Sequence, residues 1–102
     1  MNSTEYNPEL QKVIAFLQEQ RIPFEILPFL GGCLLTVPSE AHREFSLEVH
    51  PYSYGGKQGL LESSGCISVG AKVEGWLTGE TAIERIKEHY LDSVYCLTEV
   101  DT

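Results

Sequence analysis

Phe45-Ser46-Leu47-Glu48-Val49-His50 alternates apolar and polar residues more sharply than any other stretch of the chain. As a strand it turns Phe45, Leu47 and Val49 to one face and Ser46, Glu48 and His50 to the other. One face is therefore expected to be buried and the other wet, with His50 a surface histidine just before Pro51. Upstream, residues 24–30 read as an extended segment, Gly31-Gly32 as a two-residue hairpin loop, and residues 33–37 as the returning strand. Further back, Leu10, Val13, Ile14 and Leu17 recur at helical spacing behind Asn7-Pro8, an N-cap followed by proline at the first helical position. The spacing predicts a helix over 8–20, stopped by Pro23.

Downstream the composition changes, with seven of the nine glycines falling within residues 51–79. Short strands are expected at 59–62 and 67–73, separated by turns. Thr78 then caps a second helix, with Glu80 in its first turn and Thr81/Glu84 offering a second capping-box match. Ile83, Ile86 and Tyr90 form the apolar stripe of that helix, and Trp76 and Leu77 read as core anchors at its start, with an exposed dimer contact as the alternative. Residues 94–100 fit a late strand or a docked tail. Helix, strands, helix predicts one α+β domain over residues 1–102: a small antiparallel sheet of three to five strands, covered on one face by the N- and C-terminal helices.

The chain has 102 residues, 42% hydrophobic and 22% charged, which suits a single packed core. Seven Lys and Arg stand against fifteen Asp and Glu, a net charge of −8. That sign argues against direct contact with nucleic acid or an anionic membrane, since phosphate contacts require Lys or Arg. It suits a basic partner. The polar, acidic start and the lack of a long apolar run lead to the expectation of a cytosolic protein without signal peptide or membrane span. Cys33, Cys66 and Cys96 form no CxxC pair, so neither a disulfide framework nor a zinc motif is expected, and their apolar neighbours suggest buried small hydrophobes.

No local signature joins a cysteine to His42, His50 or His89 as a catalytic pair, and His89 near a helix end has a cap-like explanation. Gly55-Gly56-Lys57-Gln58-Gly59 fails the P-loop pattern at Pro51 and Gln58. With the histidines as singletons, no metal, no cofactor and no catalytic residue is expected. Two surfaces remain. One is the loop carrying Tyr52, Tyr54 and Lys57, because loop tyrosines give rigid, amphipathic contact area; the alternative reading folds one or both rings back over the sheet edge. The other is an acidic ridge of Glu80, Glu84, Glu88 and Asp92 at fourfold spacing, within a stretch from Glu74 onward that carries a net −5. An ordinary solvated helix face is the alternative reading of that ridge.

Tyr52-Ser-Tyr-Gly-Gly-Lys-Gln-Gly-Leu-Leu-Glu62 and Val73-Glu-Gly-Trp-Leu-Thr-Gly-Glu-Thr-Ala-Ile-Glu-Arg-Ile86 resemble small acidic proteins encoded by phages and prophages of Gram-positive bacteria. The resemblance implies a protein that binds a host macromolecule. Anti-CRISPR proteins, some of which occupy the nucleic-acid groove of a Cas effector, are acidic examples. The expectation is thus a non-enzymatic inhibitor of a host nucleic-acid-binding protein, in the cytoplasm of a bacterial host. The alternative is a small-molecule or peptide module using residues 52–59 and an open sheet face, and a cysteine-dependent enzyme is a third reading.

Overall fold

The computed structural model describes residues 6–68 and 72–91. Helix α1, Pro8–Glu19, leads into five strands: β1 Glu25–Phe29, β2 Gly32–Val37, β3 Phe45–Val49, β4 Leu61–Gly65 and β5 Val73–Leu77. Helix α2, Gly79–Ile86, follows and opens into a π turn, Lys87–Leu91. The strands form one antiparallel meander in chain order. This is the expected α+β fold, with the two helices packing on the sheet and on each other. Among the described residues no helix is long and apolar enough to cross a membrane.

Asn7 starts α1 as its composition demands: Oδ1 accepts from the N–H groups of Glu9 (2.7 Å) and Leu10 (3.0 Å). The helix ends in a Schellman arrangement, with Ile22 N–H donating to Leu17 O (2.9 Å) and Arg21 N–H to Gln18 O (3.2 Å). Arg21 takes the left-handed conformation there, at φ 58°. Leu10, Val13, Ile14 and Leu17 pack on Leu35, Val37, Phe45, Leu47 and Leu61, and α2 adds Ala82 and Ile86. The α2 cap is also as expected: Thr78 Oγ1 accepts from Thr81 N–H at 3.1 Å. Thr81 is itself the capped third position, so Thr81/Glu84 begins no second box. Gly79 N–H donates to Glu9 Oε1 at 2.7 Å, which ties the start of α2 to α1.

Several expectations need correction. The β1–β2 loop is Leu30-Gly31, both at positive φ, and Gly32 belongs to β2 opposite Phe29. Gly32 is required for another reason: a Cβ there would run into Val49 O and the His50 backbone. The fourth strand starts at Leu61 because Gly59 closes a 3-10 turn, Gly56–Gln58, at φ 77°. The fifth starts only at Val73, and Ile67 plugs the core from a turn. The sheet face away from the helices is not open either, since Leu34, Thr36, Ser46, His50 and Glu62 are all buried. Asp92, Cys96, residues 94–100 and the side chain of Tyr90 lie outside the described residues.

Candidate functional site

The loop between β3 and β4 is built on hydrogen bonds at its base. His50 N–H donates to Ser53 Oγ (3.0 Å), and the Ser53 hydroxyl donates back to His50 O (2.9 Å). Tyr52 N–H donates to His50 Nδ1 at 3.2 Å. A ring nitrogen that accepts carries no hydrogen, so the imidazole proton sits on Nε2 and is donated to Glu48 Oε2 at 2.6 Å. Tyr54 N–H donates to Glu62 Oε1 at 2.8 Å, and Asn7 Nδ2 reaches across to Gly59 O at 2.9 Å. Tyr54 is therefore held through its backbone by a side chain of β4, and Tyr52 by the residue just past the end of β3.

His50 is 7% exposed, which overturns its reading as a surface histidine. It extends the wet parity of β3 into a buried polar cluster with Glu48 and Glu62, which face each other across β3 and β4. The Phe29 ring meets the His50 ring edge-on at 5.3 Å. Burial pushes the Glu62 carboxyl above the usual range. Its hydrogen bond to Glu48 acts the same way, while the Tyr54 N–H and the nearby His50 act against them.

Above this base the aromatic rings point outward. Tyr52 is 79% exposed, Tyr54 57% and Trp76 59%. Tyr54 and Trp76 stack, with centroids 5.5 Å apart and planes 20° from parallel. The stack is set by a bulge in β5: Leu61 pairs with Leu77 but Ser63 with Glu74, so Gly75 and Trp76 share one place in the ladder. Trp76 takes φ 54° there, and its N–H donates to Tyr54 O at 3.1 Å. Gly75 allows the contact, because a Cβ at that position would collide with the Tyr54 side chain.

Of the two residues expected as core anchors, Leu77 is buried as expected, but the bulge turns the Trp76 indole out to solvent. Lys57 lies beside the stack, exposed, on a small open groove of about 250 Å³ that Tyr54 and Trp76 also line. A larger open groove of about 530 Å³ lies on the other flank of the loop, between Tyr6, Gly31, Cys33, His50 and Lys57. Its Cys33 thiol is half-buried, and burial pushes its pKa up, the opposite of an activated nucleophile. Cys66 is exposed, against the expectation of burial, because it tops the turn after β4 while Ile67 fills the core.

The acidic ridge is exposed but partly matched by cations. Glu80 meets Lys12 at 2.6 Å, and Glu84 lies 3.9 Å from Lys87. Arg85 instead forms a two-pronged pair with Glu74 (3.1 and 3.0 Å). Glu88 falls in the π turn, where the wider winding breaks the fourfold register, and Asp92 lies outside the described residues. The structure thus brings Tyr54, Lys57 and Trp76 together along one groove, leaves Tyr52 exposed on the same loop with its ring toward His50, and keeps the ridge on a separate element. The signal for Trp76 was present in Gly75-Trp76: a glycine before a bulky aromatic inside a short strand is a bulge signature. No family model, curated protein or solved structure matches this chain.

Proposed function

We propose that the chain is a non-enzymatic protein-binding protein whose contact surface is centred on Tyr54 and Trp76, with Tyr52 and Lys57 at its margin. One observation carries the reading: Trp76 is more than half exposed, stacked on Tyr54, and held in a left-handed backbone conformation that glycine adopts more easily. A bulky residue at such a place serves its exposed ring better than it serves the fold. Large aromatics on a loop braced from beneath are the usual centres of binding energy, each worth 2 kcal/mol or more when fully desolvated, to order of magnitude.

The partner is a basic protein surface. The net charge of −8 attracts it, and stacked indole and phenol faces accept guanidinium groups. An inhibitor that occupies the nucleic-acid groove of a bacterial host protein, as the phage and anti-CRISPR resemblance implies, fits this chemistry. A small-molecule or extended-peptide site is the second reading, favoured by the open groove of about 530 Å³ beside the loop.

Capture from a bacterial host lysate with the parent and with Tyr54→Ala/Trp76→Ala tests the first reading. The parent is expected to retain a basic protein that elutes with rising salt, and the double variant to lose it. Trp76 is the sole tryptophan, so titrating the purified partner should change the indole fluorescence directly. Equal retention by the folded double variant would place the contact elsewhere.

A further inference from the structure

At the opposite end of β3 from the aromatic loop, three chemically distinct metal-binding side chains converge from three segments. Glu44 precedes β3, Cys66 tops the turn after β4, and His89 lies in the π turn after α2. Their ligand atoms all lie within 4.8 Å of one another. In sequence they are 22 and 23 residues apart by subtraction, which is why the histidines read as singletons.

The convergence is built by the fold. Phe45 pairs with Gly65, and one step further Cys66 N–H donates to Glu44 O at 3.2 Å, so the first two groups sit side by side at the sheet end. The Cys66 turn is closed by Ser68 N–H to Gly65 O (3.1 Å) and by the Ser63–Ser68 hydroxyl contact (2.8 Å), with Ile67 buried beneath. The third group arrives on the π turn that continues α2, just past the fully buried Ile86. A π turn adds a residue to the winding, and such turns recur at functional sites.

We infer that Glu44, Cys66 and His89 form a binding site for a single zinc ion, with a fourth position left to water. Thiolate, imidazole and carboxylate together suit zinc and exclude magnesium and calcium, which take oxygen ligands. Zinc bond lengths at tetrahedral angles place ligand atoms about 3.3–3.6 Å apart, so closing on the ion takes side-chain movements of about an ångström. On binding, Cys66 passes its proton to solvent and coordinates as thiolate. An open groove of about 200 Å³, lined by Cys66, Ser68, Glu88 and His89 among others, gives the water position access to solvent. Once bound, the ion would clamp the end of α2 to the ends of β3 and β4.

The test uses the reduced full-length protein, with zinc followed by calorimetry and cobalt as a spectroscopic substitute. One equivalent should bind, with a thiolate-to-cobalt charge-transfer band and a rise in Tm. Cys33→Ser/Cys96→Ser should keep the band. Cys66→Ser should abolish it, and Glu44→Gln and His89→Gln should each weaken zinc binding more than tenfold. All three side chains are exposed, so unchanged metal-free unfolding of the variants is expected and serves as the control for folding. Absence of stoichiometric binding would overturn the assignment. So would a cobalt band that survives Cys66→Ser or follows Cys33 or Cys96, or zinc binding to His89→Gln as tight as to the parent.

Discussion

Arg21, Leu30 and Trp76 all hold positive φ without being glycine, but for different reasons. Arg21 completes the helix stop and Leu30 the two-residue hairpin loop, where local geometry requires that conformation. Trp76 sits at a bulge whose left-handed position glycine would fill with less strain. Replacing it therefore separates backbone from ring. Trp76→Gly removes a left-handed cost of roughly 1–2 kcal/mol. It loses the stack on Tyr54, about 0.5–1.5 kcal/mol, and gains unfolded-state entropy of about 0.4–1 kcal/mol. These nearly cancel, so its stability should stay within about 1 kcal/mol of the parent. Trp76→Ala loses the same stack but keeps the strain. Urea unfolding is expected to find the glycine variant more stable than the alanine variant, the reverse of the usual order in a strand. Partner binding should fail in both. An alanine variant the more stable of the two would mean that the backbone at Trp76 is unstrained.

At the scale of elements, β3 and β4 carry the site through the pair Glu48 and Glu62, whose cluster with His50 holds the loop from beneath. Glu62 has a folded-state pKa above its ordinary value, with burial the first cause and Glu48 the second. Its favourable contribution is therefore complete below the unfolded value near 4.5 and is lost as pH rises through the folded value. Glu62→Gln keeps an oxygen for Tyr54 N–H and cannot ionise. At pH 7 its Tm should match or exceed that of the parent by a few degrees, and any difference should close as pH falls toward 4.5. Glu62→Ala leaves Tyr54 N–H without its acceptor and should be less stable at every pH, by about 1–3 kcal/mol. Thermal scans from pH 4 to 8 decide this, and a glutamine variant that loses stability at pH 7 would contradict it. The same strands show where the sequence was legible. Strict alternation located the start of β3 and overran its end by one residue, His50, and cap chemistry located both helix starts. β5 was misplaced because its bulge breaks the parity that alternation relies on. The polar face of β3 was read as wet because nothing local announces that Glu62, fourteen residues after Glu48, lies across from it. Tyr52 and Tyr54 were legible as candidates from residue type alone; Trp76, the stacking partner of Tyr54, required the bulge.

For the whole molecule, charge and aromatic surface should govern different stages of association. The charge of −8 acts over a Debye length of about 8 Å at physiological salt, whereas the Tyr54–Trp76 stack acts only on contact. Glu80 and Glu84 already neighbour Lys12 and Lys87, and Lys87 also lies 5.9 Å from the centre of the Phe16 ring. Such exposed pairs add little to stability, so Glu80→Gln/Glu84→Gln/Glu88→Gln should fold as well as the parent. By subtraction the variant carries −5 rather than −8, leaving less long-range attraction for a basic surface. Surface plasmon resonance with the captured partner is then expected to show an association rate lowered several-fold at low salt. That deficit should vanish near 0.5 M salt, where the Debye length falls to about 4 Å, while the dissociation rate stays unchanged throughout. Tyr54→Ala/Trp76→Ala should behave in the opposite way: an association rate close to the parent's at each salt, and dissociation faster by thirtyfold or more, about 2 kcal/mol. If the triple glutamine variant instead dissociates tenfold faster at high salt, the ridge on α2 makes the close contacts and the aromatic loop does not.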